Sequence, residues 1–267
     1  TVTNVDRCIK NSSKLLKDNN KEYVSHYLVS LVLDGKIKEA IRKAKIIKTR
    51  KVNESYESNL LIAINNLKNK KHKQNFLNIK ELSVFKKENK LQSVILSSLE
   101  EFAHLFYYGK IDNKVGTNFG HLTIINKAFQ KCYLGEKNTK ELFYSAINSE
   151  KGDYTRYLFF YINFLISEGK IDEAKVLANK IDIMKDSLLL VQTKDWIDKK
   201  KINNFNKIFS CKNSQDIMGE FFYLISSLYS AEGNIKKSNF YLNISNYLNP
   251  KFKFNLSLLA ENHYFNE

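Results

Sequence analysis

Apolar residues recur along this chain at intervals of three and four. Val24, Tyr27, Leu28, Leu31 and Val32 fall on one face of a helix over residues 22–33. Ile37, Ala40, Ile41, Ala44 and Ile47 line one face of the next stretch. Between them stands Asp34-Gly35-Lys36, and Gly35 tolerates the left-handed conformation that ends a helix. The spacing predicts an antiparallel helix pair over 22–48. The pattern returns from Tyr154 to Ile181. Leu158, Tyr161, Ile162 and Leu165 form its first face, and Ile171, Ala174, Leu177, Ala178 and Ile181 its second.

The turn itself is repeated. Asp34-Gly35-Lys36-Ile37-Lys38-Glu39-Ala40 is echoed by Glu168-Gly169-Lys170-Ile171-Asp172-Glu173-Ala174 and by Glu232-Gly233-Asn234-Ile235-Lys236-Lys237-Ser238. Gly135 lies 34 residues before Gly169, and Gly233 lies 64 after it. The clearest units are therefore 22–48, 120–148, 154–182 and 218–250. Ser187–Cys211 reads as a degenerate unit. Weaker units run over Tyr56–Glu81, which lacks the turn glycine, and Gln92–Asp112, which has Gly109-Lys110-Ile111. Asp112–Gly120 reads as an irregular insertion. Six or seven pairs result. Residues 251–267 are expected to hold the first helix of a truncated further unit, with Leu256, Leu259, Ala260 and Tyr264 on its buried face and the chain continuing past Glu267.

The stretch 222–250 carries a family likeness. Phe222, Ile225, Ser226 and Tyr229 stand where the tetratricopeptide pattern has Trp, Leu, Gly and Tyr. Ser238 and Leu242 stand where it has Ala and an aromatic, and Pro250 closes the unit. The chain resembles the tetratricopeptide repeat family, in the manner of bacterial members with eroded repeats. The resemblance implies an all-α, right-handed α-solenoid of antiparallel helix pairs over 1–267. It also implies a concave groove that takes a peptide or a partner helix, lined here by Phe106, Tyr107, Phe129, Phe159, Asn163, Tyr223 and Ser227. Asn163 falls where peptide-clamping members hold ligand backbone. The lysine partners of a carboxylate clamp are missing. The implied function is a protein–protein interaction scaffold.

Composition narrows the alternatives. With one Pro and nine Gly in 267 residues, an all-β fold is excluded. The net charge of +15 raises a nucleic-acid partner, but 39 of the 43 basic residues are Lys, and Arg is the residue suited to bidentate phosphate or guanine contacts. The lysine clusters around Lys70 and Lys200 fall at expected turns and read as solvated. A helical-repeat nucleic-acid binder stays as the alternative, beside a docking arm of a larger enzyme continuing beyond the C-terminus. Cys8, Cys132 and Cys211 are far apart and odd in number, without CxxC. They suggest neither a zinc site nor a disulfide framework, and fit a reduced, cytoplasmic setting. No phosphate loop, HExxH, nucleophile elbow or kinase signature occurs. Gly135-Glu136-Lys137-Asn138-Thr139 reads as a repeat turn. The expectation is no catalysis, no cofactor, no metal and no transmembrane segment.

Overall fold

The computed structural model describes residues 21–50, 54–85, 90–112, 119–148 and 155–264. Most of the expected insertion, residues 113–118, lies outside them, as does Cys8. The described residues form fourteen α-helices and no strand. They are α1 (Lys21–Leu33), α2 (Ile37–Arg50), α3 (Tyr56–Lys68), α4 (His72–Leu82), α5 (Lys90–Tyr108), α6 (His121–Leu134) and α7 (Thr139–Ile147). Then come α8 (Tyr157–Ser167), α9 (Ile171–Ala178), α10 (Leu188–Asp198), α11 (Asn203–Ile208), α12 (Ser214–Ala231), α13 (Ile235–Leu248) and α14 (Leu256–Tyr264). The all-α expectation holds. The chain forms two compact units. Of the described residues, those within 21–112, 218–248 and 255–264 form one, and those within 119–217 and 249–254 the other.

The turns explain the repeat. After α1 the Gly35 amide donates to the Val32 carbonyl at 3.1 Å, and the Lys36 amide donates back to Leu31 at 2.8 Å. This pair of bonds satisfies two orphan carbonyls at a helix end and requires a left-handed residue between them. Gly135, Gly169 and Gly233 repeat it bond for bond, with φ of 77°, 75° and 72°. So do two turns without glycine. Lys70 bonds Leu67 while Lys71 bonds Asn66, and Lys200 bonds Ile197 while Lys201 bonds Trp196. Lys70 and Lys200 take φ of 56° and 54°. The units that looked degenerate keep the turn and lose only its usual residue.

In the first unit, α2 packs on α3, α3 on α4 and α4 on α5. The α12–α13 crossing is close because two small residues meet there. The Ser226 hydroxyl donates to the Ser238 carbonyl at 2.9 Å, and both side chains are fully buried. In a linear row each pair meets only its neighbours. Here α13 departs from that rule and packs against α1, α2 and α3. Tyr56 and Tyr241 share a hydroxyl–hydroxyl bond of 3.1 Å, and Lys68 donates to the Leu248 carbonyl at 2.8 Å. Helix α14 corrects its predicted face. Leu258 and Asn262 are its buried residues, whereas Ala260 and Tyr264 are exposed and Leu256 and Leu259 half-buried. Polar anchoring sets this orientation: the Asn262 amide donates to Ser238 and to Asn239, and its carbonyl accepts from Ser230.

In the second unit, α8 is buried almost all round, including Tyr157 and every residue from Phe159 to Ile166. A helix apolar on every side is a core helix, not a surface one. Its second side is covered by α11 and the residue after it, and by residues 249–254. Phe205 stacks on Phe159 at 5.8 Å, Phe209 meets Phe160 edge-on at 4.7 Å, and Phe252 packs against Phe159 at 5.4 Å. Arg156 lies 5.2 Å above the Phe252 ring. The Asn249 amide holds the covering segments together by donating to the Ile208 carbonyl at 2.8 Å.

The cysteine expectation is overturned. Cys132 on α6 and Cys211 form a disulfide with a Cα separation of 5.8 Å, across 79 residues of sequence. Both are buried. A long sequence gap hid a short spatial one, and cysteine usage no longer argues for a reducing compartment. No described helix is long and apolar enough to cross a membrane.

Candidate functional site

The seven residues expected to line a groove divide between the two units and differ in exposure. In the second unit Phe129 is buried against Phe143, Phe160 and Phe209. Phe159 and Asn163 are buried in α8, where the Asn163 amide donates to the Phe209 carbonyl at 3.3 Å. These three are core residues. The groove face expected of α8 is filled by this chain's own Phe205, Phe209 and Phe252, so Asn163 holds an internal backbone group instead of a ligand's. In the first unit Phe106 is buried and stacks on Phe102 at 5.8 Å. Tyr223 and Ser227 are half-buried, and the Ser227 hydroxyl bonds back to the Tyr223 carbonyl. Tyr107 alone of the seven is exposed, at 37%.

Tyr107 packs on Phe76 and Tyr108, which line a cleft between α4 and α5. Its volume is about 790 Å³, and its walls include Phe76, Lys80, Glu100, His104, Tyr108 and Asp112. The two helices position these groups by simple periodicity. Phe76 and Lys80 are four apart on α4, as are His104 and Tyr108 on α5, so each pair shares a face. Phe76 is the buried floor. Tyr107 stacks on it at 5.4 Å, Tyr108 meets it edge-on at 5.3 Å, and the Lys80 ammonium stands 4.6 Å above its ring. Tyr108 is 50% exposed, and Leu77 on α4 and Val84 just after it are also exposed. This is a compact aromatic platform with charged walls.

His104 sits centrally, and both of its ring nitrogens are engaged. Nδ1–H donates to the Lys110 carbonyl at 3.1 Å, and Nε2 faces the Asp112 carboxylate at 4.0 Å. Ser83 also lines the cleft. Among the described residues no group of three or more His, Cys, Asp or Glu side chains could hold a metal ion. The sequence carried a signal for the cleft that groove mapping overlooked: aromatic or imidazole groups four apart on two consecutive helices, with lysines beside them.

Comparison of the chain with family models, with curated proteins and with solved structures finds no match.

Proposed function

We propose that the chain is a protein-interaction module of tetratricopeptide-like helix pairs that takes a segment of a partner protein in the α4–α5 cleft. The observation that carries this reading is the exposed Tyr107–Tyr108 pair, with rings 4.5 Å apart, seated on Phe76 beside a cleft of about 790 Å³. Exposed aromatics on a rigid base are the usual anchors of an interface, since they contribute area at little entropic cost. The six shared turns support the helical-repeat reading. The overall charge of +15 favours an acidic occupant, while at the cleft itself Lys80 and Lys110 stand beside Glu100 and Asp112. The occupant is a peptide segment with an aromatic or aliphatic anchor flanked by Asp or Glu.

Selection from a random peptide display library tests this. Wild-type protein is expected to enrich that motif, and the Tyr107→Ala/Tyr108→Ala double variant to weaken a selected peptide at least about tenfold. Both side chains are exposed, so the variant keeps its fold by circular dichroism. Enrichment of no motif, or affinity unchanged in the double variant, refutes the reading. Displacement of the peptide by homopolymeric RNA with a steep salt dependence would favour nucleic acid instead.

A further inference from the structure

A second cavity lies in the first unit, lined by residues other than those of the α4–α5 platform. It measures about 340 Å³, at the small end of the range for ligand pockets. Ser25, His26 and Val29 come from α1, Tyr56 and Glu57 from α3, and Tyr229, Lys236, Lys237, Phe240 and Tyr241 from the α12–α13 pair. The cavity exists because α13 returns to pack on α1 and α3.

Its walls are more polar than helix packing needs. Tyr229 and Tyr241 lie parallel at 5.5 Å, and Tyr241 shares a hydroxyl bond with Tyr56. All three tyrosines and Phe240 are buried. Tyr229 is only 4% exposed, and it lines the cavity. Burial, then the nearby Glu232, pushes the Tyr229 phenol up, so it stays a hydrogen-bond donor at neutral pH. The Lys237 ammonium lies 5.2 Å from the centre of the same ring. Lys236 and Lys237 are exposed at the rim, and neither is ion-paired among the described residues. Glu57 is the one acidic side chain on the wall, so the two lysines outnumber it.

We infer that this cavity is a binding site for a small carboxylate with a flat apolar body. Its carboxylate accepts from the Tyr229 hydroxyl and the Lys236 and Lys237 ammonium groups, and its body lies against Tyr56, Phe240 and Val29. The donors are charge-assisted and the walls are aromatic, which together select an anion with a ring over a bare anion or a cation. This site goes beyond the interaction reading and does not depend on it.

Titration calorimetry with 3-phenylpropionate, phenylacetate, phenylacetamide, phenethylamine and acetate tests the assignment. The two ring-bearing carboxylates are expected to bind saturably, the amide and the amine at least tenfold more weakly, and acetate not measurably. Tyr229→Phe and the Lys236→Gln/Lys237→Gln double variant should each weaken phenylpropionate at least tenfold, with circular dichroism unchanged. Tyr107→Ala/Tyr108→Ala should leave it unchanged, which separates failure of this site from failure of the peptide cleft. The inference is overturned if neither carboxylate binds, if the amine or amide binds as well as they do, or if affinity survives both Tyr229→Phe and the lysine double variant.

Discussion

Lys200 holds a left-handed backbone at the turn after α10, with φ of 54°, in a place where four other turns of the same geometry use glycine. For a residue with a Cβ this conformation costs about 1–2 kcal/mol. Lys200→Gly removes that cost but enlarges the entropy of the unfolded chain, which returns about 0.4–1 kcal/mol. The side chain is exposed and makes no ion pair among the described residues, so little else is lost. The net expectation is a gain of about 0.5–1 kcal/mol, or roughly 1–4 °C in Tm for a chain of this size. Lys70→Gly, in the other unit, should give a similar increment, and the two should add. Urea unfolding followed by far-UV circular dichroism reads the change, with Lys200→Ala as the control. Alanine removes the charge yet keeps the Cβ, so it should be close to neutral. If Lys200→Gly destabilises, the turn is not left-handed in solution. If Lys200→Ala stabilises equally, the gain comes from charge and the backbone reasoning fails.

Four further outcomes follow from the packing. Reducing Cys132–Cys211, or replacing both cysteines by alanine, opens a loop of 79 residues and should cost up to roughly 4.5 kcal/mol; a Tm indifferent to reductant would show that the pair is not joined. Gly135→Ala and Gly169→Ala should each destabilise by about 1–2 kcal/mol, because both hold a left-handed φ and the Lys212 ammonium 2.9 Å from a Cβ at Gly135 ends a flexible, exposed side chain that can move aside; a neutral result for either in thermal denaturation would contradict this. Phe159→Ala should lower stability by about 3–5 kcal/mol in urea, as a core truncation does, and a stable variant with only weakened partner binding would restore it to a groove. Burial, then Lys70, holds the His72 imidazole below its ordinary range. The unfolded chain therefore binds more protons, so stability falls as pH drops below about 6.5, and His72→Gln should flatten the unfolding midpoint between about pH 7 and about pH 5.

Periodicity and turn chemistry alone made the helices and their pairing legible. The faces of α1 and α2 are buried as the spacing predicts, and Gly35, Gly135, Gly169 and Gly233 all end helices in the left-handed conformation. These are local properties, decided within a few residues by side-chain periodicity and backbone sterics. The two lysine turns were hidden, because Lys has no preference for that conformation and only the hydrogen bonds reveal it. The partner side of each helix was not legible either. Repeat spacing can say that α8 has an apolar face, but not that Phe205, Phe209 and Phe252 return to cover its other side. Nor could it bring Cys132 to Cys211, or place α13 against α1 to open a cavity around Tyr229. Such contacts join residues tens to hundreds of positions apart, and depend on how whole helices pack. The amino-acid sequence determined the helices and their turns; tertiary packing decided which of their faces were left for a ligand.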